Sequence, residues 1–291
     1  MTDWLTITDQ IHAATGIPFA LRHERAIGGG CINRAHRISD GQRTFFVKLN
    51  AAARLAMFEA EAAGLRELAA AHAVRVPQPI CVGVAGEQAF VVLEWLELSG
   101  HVNGAQVGRQ LAQLHRASAT QFGWQRDNTI GATPQLNTQT VDWVAFWSEQ
   151  RLGYQLQLAA ANGYGGQLQT SGEQLRLALP ALLDHQPQPS LLHGDLWGGN
   201  LGALANGQPV IFDPAVYYGD READVAMTEL FGGFDHAFYA AYREAWPLAA
   251  GYETRKILYN LYHVLNHFNL FGGGYLRQAQ QMMGQLLAAV R

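Results

Sequence analysis

Cysteine is scarce: Cys31 and Cys81 are the only two in 291 residues. That is too few for a disulfide scaffold or a four-cysteine zinc site, and both are expected as thiols at rest. Charge is scarce as well. Charged residues make up 15% of the chain, the formal net charge is −4, and the 20 Lys and Arg form no basic run. The electrostatic footprint of a nucleic-acid binder is therefore missing. No apolar run approaches membrane-spanning length, and the opening Met1-Thr2-Asp3-Trp4 lacks the basic and apolar segments of an export signal. The expectation is a soluble, cytoplasmic protein that binds neither nucleic acid nor membrane. What is present is 48% hydrophobic content, enough for one large domain or two modest lobes with a substantial core.

The pattern changes character along the chain. From about residue 20 to residue 96, short β-like runs alternate with one helix; after Asn103 almost everything has helical spacing. The change predicts an α+β bilobal protein, with a small antiparallel β lobe over 1–96 that ends in a hinge and a mainly helical lobe over 97–291. In the first lobe, runs at 34–39 and 43–49 flank Asp40-Gly41, a strong hairpin signal. Leu55, Phe58, Ala62, Leu65 and Leu68 fall on one helical face, and the pattern stops before Val76-Pro77. Two further strands, 80–84 and 88–93, run into Glu94-Trp95-Leu96. In the second lobe, helical patterns cover 103–117, 141–161, 171–183, 222–231, 236–245, 255–271 and 275–290, with glycine runs at 163–166 and 272–274 read as turns.

Most of the chemistry lies in His193-Gly194-Asp195-Leu196-Trp197-Gly198-Gly199-Asn200 and the following Ile211-Phe212-Asp213. Phosphoryl transfer needs a base for the attacking hydroxyl and oxygen ligands for the magnesium on the nucleotide phosphates; a D-x4-N loop and a later Asp supply them in protein kinases. Asp195 matches the base, and Asn200 and Asp213 the metal ligands. Runs at 201–204 and 210–212 around Asn206-Gly207 predict a ribbon with Asn200 and Asp213 at its open end. Taken singly, each of these residues reads as a loop residue capping a turn. His193 reads as a residue that orients the loop. Trp197 offers an aromatic face that could pack on a sugar, shield the site or fill the core.

Lys48 shares a strand face with Phe46 by period two. Glu59 and Glu61 in the next helix are candidate partners, about 200° apart around the helix, so only one can face Lys48; Glu61 is favoured. Such a pair aims an ammonium at ATP phosphates. Gly28, Gly29, Gly30 and Cys31 lie one hairpin upstream, where backbone N–H groups could approach phosphate oxygens, although a triple glycine is also an ordinary flexible turn. Cys31 would then lie near Lys48 and N–H dipoles that favour a thiolate; the alternative is a small buried cysteine. Backbone groups of Glu94, Trp95 or Leu96 are expected to bind adenine. His115, His263 and His267 sit in apolar helical patterns, where histidines are usually packed or exposed residues and seldom ligands. Only eight residues separate Asp213 from the helix beginning near Glu222, too few for a long activation segment, so the acceptor should be small or displayed on a flexible side chain.

These residues closely resemble the fructosamine and ketosamine kinase family, relatives of aminoglycoside phosphotransferases and choline kinases with a protein-kinase-like fold. The resemblance runs through GGGCIN at 28–33, FFVK at 45–48, MFEAEAAGL at 57–65, DNTIG and PQLN within 127–137, HGDLWGGN at 193–200, IFDPAVYYGDREADVAM at 211–227 and LYHVLNHFNLFGGGY at 261–275. It implies ATP- and Mg2+-dependent phosphorylation of the 3-hydroxyl of ketoamines, the ribulosamine or fructosamine adducts of amines and protein lysines, after which the phosphate eliminates and the amine is freed. It also places Trp197, His263, Asn266 and His267 beside the acceptor. Some relatives carry a redox-sensitive cysteine where Cys31 stands, which implies a redox switch and a homodimer bridged through Cys31. Many relatives have Ser in place of Gly198. The alternatives are an aminoglycoside- or choline-like phosphotransferase, or a catalytically silent nucleotide-binding module.

Overall fold

The computed structural model describes residues 2–28 and 32–290. Their contacts divide the chain into two compact units, Met1–Val102 with Gly202–Pro214, and Asn103–Leu201 with Ala215–Arg291.

The first unit opens with a helix that period reading from residue 20 onward did not reach. In α1 (Trp4–Thr15), Asp3 accepts from Thr6 N–H at 3.2 Å, and Gly16 ends the helix at φ 72°, a left-handed cap that glycine adopts without strain. The strands β1 (His23–Ile27), β2 (Arg34–Ser39), β3 (Thr44–Ala51), β4 (Pro79–Ala85) and β5 (Gln88–Glu94) form one antiparallel sheet in the order β1-β2-β3-β5-β4. Phe45, Val47 and Leu49 alternate along β3 onto one face, where they pack with Ile7, Ile11, Phe19, Ile38, Phe90 and Val92. Phe46 and Lys48 therefore point to the opposite face. A short turn at Ala52–Arg54 leads into α2 (Leu55–Ala70), which packs on β4 and β5.

The second unit contains α3 (Gly104–Leu114), β6 (Asn128–Ile130), β7 (Thr133–Gln135), α4 (Trp143–Phe146), α5 (Tyr154–Ala161), α6 (Gln167–Leu182) and β8 (Ser190–Leu192). Next comes the ribbon of β9 (Leu201–Ala203) and β10 (Pro209–Ile211). From Gly202 onward this ribbon groups with the first unit: Gly100 N–H donates to Ala203 O at 3.0 Å and Ile211 N–H to Arg75 O at 3.0 Å. The chain returns to the second unit with β11 (Tyr217–Gly219), α7 (Glu222–Leu230), α8 (His236–Ala245), α9 (Tyr252–Phe271) and α10 (Tyr275–Ala289).

Two small ribbons, β6-β7 and β8-β11, stand where the sequence pattern showed only helices and the catalytic hairpin. Strands of three residues are too short to display an alternating period. The helical run at 141–161 is continuous, but its middle, Trp147–Gly153, is π-helical. Arg151 there is fully buried, donates to Leu136 O and Asn137 Oδ1, and lies 4.1 Å from the Tyr217 ring centroid. No helix among the described residues is long and apolar enough to cross a membrane.

α3 and α8 approach so closely that a Cβ on Gly108 would overlap the Phe238 carbonyl oxygen. Gly108→Ala is expected to destabilise the second unit by about 2 kcal/mol through overpacking. Thermal denaturation checks this, and an unchanged melting temperature would show that the helices can separate at no cost.

Candidate active site

In the first unit β3 and α2 bring Lys48 to Glu61: Nζ donates to Glu61 Oε1 at 2.7 Å, and at 2.5 Å to Oδ1 of Asp213, just beyond β10. Glu61 is thus the helix partner of the two acids that the spacing offered. Lys48 and Glu61 are nearly buried, while the Asp213 side chain is 47% exposed. Burial alone would lower the Lys48 pKa, but Asp213 and then Glu61 outweigh it and hold the ammonium above its ordinary range. Glu61 is pushed up by burial, with Asp213 adding to it and Lys48 opposing. Two carboxylates thus share a single ammonium: together they hold Lys48 charged, while Asp213 only adds to what burial does to Glu61. Asp213 has φ 56°, a left-handed conformation that Asp tolerates better than most residues and that often marks functional sites.

The segment expected to form the hinge is locked from outside the strand. Both Glu94 carboxylate oxygens accept from Arg75 at 2.5 Å, one also accepts from Gln78 N–H at 3.2 Å, and Glu94 N–H donates to Gln78 O at 2.8 Å. Phe46, on the Lys48 face, lies 6.4 Å from the Trp95 ring, which in turn lies 5.2 Å from the Arg37 guanidinium carbon. The alternation around Lys48 had placed Phe46 on that face; only the fold brings it beside Trp95. Gly28 borders open space, while Gly29, Gly30 and Cys31, expected at the phosphates, lie outside the described residues. Cys81 is partly buried, and burial pushes its thiol up to about 12, so it is a poor nucleophile at neutral pH.

In the second unit the loop that carries Asp195 hangs from Asp224 on α7, a residue the motif reading missed. Its carboxylate accepts from His193 N–H at 2.7 Å and Gly194 N–H at 2.8 Å, and His115 Nε2 lies 3.2 Å from it. Burial opposes ionisation of Asp224, but His115, His193 and the Gly194 amide outweigh it and lower its pKa. His115 is in turn 2.8 Å from the Tyr242 hydroxyl. An acid one turn into a helix, 30 residues from its partners, leaves no local sequence signal. Gly194 sits at φ 82°, and a Cβ there would overlap the Ala215 carbonyl oxygen. His193 Nδ1 accepts from Asp195 N–H at 3.2 Å, the loop-orienting role expected of it. Asn200 Nδ2 donates to Asp195 O at 2.8 Å, which closes the D-x4-N turn on itself.

Trp197 is 38% exposed, and its indole covers Gly199 so closely that a Cβ there would strike the ring, whereas Gly198 borders open space. Ser at position 198 would therefore fit here. His263 and Asn266 are buried on α9, and Asn266 is engaged by Gln155 and Ile130 O at 3.4 Å each. His267 is half-buried, and its Nδ1 donates to His263 O at 2.8 Å. The Gly219-Asp220-Arg221-Glu222 segment is structural in its contacts. Asp220 lies 2.6 Å from His185 Nε2 and accepts from Tyr259 at 2.5 Å; Arg221 donates to Tyr242 Oη; Glu222 pairs with Arg255 at 2.7 Å. His185, Asp220 and Glu222 come close enough to suggest a metal cluster, but protein donors already occupy both carboxylates.

The family model described as fructosamine kinase matches residues 3–289. A probable ketoamine kinase of Synechocystis sp. is 52% identical over 98% of this chain and 97% of its own length. The chloroplastic protein-ribulosamine 3-kinase of Arabidopsis thaliana is 42% identical over 91% of this chain and 83% of its own. Among solved structures, a candidate fructosamine-3-kinase of Haemophilus somnus 129PT superposes with a TM-score of 0.91 at 31% identity, covering 98% of each chain.

Burial, aided by His267 and opposed by Asp224, lowers His263 from 6.5 to about 3. Below its ordinary pKa the unfolded chain takes up a proton that the folded chain refuses, so stability falls as pH drops from 6.5 toward 3. This residue alone should remove about 2 kcal/mol between neutral pH and about pH 5. Denaturation across that range should show a shallower acid slope in His263→Gln; the same slope as wild type would place the sensitivity elsewhere.

Proposed function

Since the chain belongs to the fructosamine kinase family, we propose that it transfers the γ-phosphoryl group of ATP to the 3-hydroxyl of a ketoamine in the cytoplasm, and so begins deglycation. The observation that carries this reading is the Lys48–Glu61–Asp213 cluster, in which a buried ammonium is held charged and shared with a half-exposed acid. An ammonium so fixed is a ready partner for nucleotide phosphates. The names of the relatives support ketoamine as the acceptor class.

Asp195 is the proposed base, which takes the proton of the attacking hydroxyl while the Asn200 and His193 contacts hold its backbone. Lys48 and Glu61 position the α- and β-phosphates, and the backbone around Trp95 and Leu96 receives adenine beneath Phe46. The donor set fits magnesium: with its Nδ2 on Asp195 O, Asn200 has Oδ1 left to offer, and Asp213 brings an exposed carboxylate, both hard oxygen donors. Bound there, magnesium would neutralise phosphate charge and supply the cation that two carboxylates around one ammonium call for. The stretch between Asp213 and α7 is occupied by β11, paired to β8, which supports a small acceptor over a regulated protein substrate. Once phosphorylated, a 3-phosphoketoamine loses phosphate by elimination, and hydrolysis of the imine left behind releases the amine.

An aminoglycoside- or choline-like activity would use the same ATP-side residues, so product analysis with ribulosamine, erythrulosamine and fructosamine beside aminoglycoside and choline acceptors tests the reading; turnover of the latter alone would overturn it. Asp195→Asn should lower turnover about a hundredfold or more while ATP affinity stays close to wild type, the scale for a positioned base; near-normal turnover would remove Asp195 from that role. Lys48→Met should raise the KM for ATP far more than that for the acceptor, as steady-state kinetics in both substrates would show.

A further inference from the structure

We propose that the aromatic run Trp197, Phe231, His267 and Tyr275 is the subsite for the amine half of the acceptor, binding the protonated secondary amine of a ketoamine and the apolar group attached to it. The assignment takes the ketoamine reading as its premise and specifies the part of the acceptor beyond the sugar.

The run starts at the chemistry, since Trp197 is two residues beyond Asp195. From the indole the rings follow in tilted or edge contacts: Phe231, at the end of α7, lies 6.1 Å from Trp197; His267 lies 4.8 Å from Phe231; Tyr275, at the start of α10, lies 5.3 Å from His267. Phe271 extends it, 5.7 Å from His267 and 57% exposed. The contrast with the aromatic core of the same unit is sharp. Trp143, Phe146, Trp147 and Tyr259 also form a ring cluster, but all four are buried. Filling a core does not require the rings of the outer run to remain accessible, whereas contacting a ligand does.

The chemistry of the run selects its occupant. Aromatic faces carry negative quadrupole density and attract a cation, and the nitrogen of a ketoamine is a protonated secondary amine. His267 gives its Nδ1–H to the His263 carbonyl, so its neutral tautomer keeps the Nε2 lone pair as an acceptor for an N–H donor. His263 behind it is buried and stays neutral, and no Lys or Arg belongs to the run. An amine borne on an alkyl or benzyl carbon, such as a lysine ε-amino group, suits this surface; one beside a free carboxylate does not. Gly199 sets the indole in place, because no side chain intervenes between them.

The test compares ribulose adducts of benzylamine and methylamine, which share the sugar and the charge and differ only in the group beyond nitrogen. Phe231→Ala and Tyr275→Ala should each lower the benzylamine-to-methylamine ratio of kcat/KM about tenfold, mainly through KM, on the scale of one desolvated aromatic contact. Phe231→Leu, which keeps apolar volume and guards against a folding defect, should lower the ratio in the same direction. An equal loss on both adducts, or no change in the ratio, would make the run a packing feature and overturn the subsite. If the wild-type enzyme turned over neither adduct, the ketoamine premise itself would fall, an outcome distinct from an unchanged ratio.

Discussion

A lysine ammonium confined between two carboxylates is the constraint on which the first unit depends. Lys48 and Glu61 are almost fully withdrawn from water, and truncating one partner of such a pair costs about 3–5 kcal/mol because the other charge is left buried and alone. The sheet must therefore present β3 and α2 in one register, and the ribbon must deliver Asp213 to the same ammonium. Arg75 joins these parts: its carbonyl accepts from Ile211 in β10, and its guanidinium clamps Glu94 at the hinge. Strand, helix, ribbon and the Glu94 segment are held by a handful of hydrogen bonds, most of them charge-assisted and so stronger and more directional than apolar contacts.

The second unit answers the same problem with an anion in place of a cation. Asp224 is buried and ionised, and it gathers two backbone amides of the catalytic loop and a histidine. A carboxylate with several donors is stable without water. The loop's shape is thus fixed by contacts within the protein, and Gly194, whose backbone and crowding exclude a side chain, lets it turn. The Asp220–Arg221–Glu222 network fixes the start of α7, and through it the position of Asp224. A segment that carries part of the family resemblance in sequence is, in its contacts, a frame for the start of α7.

The surface proposed for the acceptor is built differently, from rings with modest individual energies. Trp197 is exposed and His267 partly so, while His263 and Asn266 are buried in the helical packing. Discrimination by aromatic surface tolerates varied amines, which suits an enzyme whose targets would share a sugar adduct and little else.

Local chemistry was enough to place the D-x4-N loop, the later Asp, Lys48 with an acid in the next helix, and the long amphipathic helices, because each depends on spacing along one strand, turn or helix face. Four strands of the five-stranded sheet were legible for the same reason, through alternation and the Asp40-Gly41 turn. α1 escaped a reading that began beyond it, and the three-residue strands were too short to carry a period. The partnership of Asp224 with His193 and Gly194, the closing of Asp213 on Lys48 and the joining of Trp197 to Phe231 and His267 were decided by tertiary structure alone. Each links residues tens of positions apart, and a buried charge or an exposed ring finds its partner through the packing of elements, which the order of residues along the chain does not display.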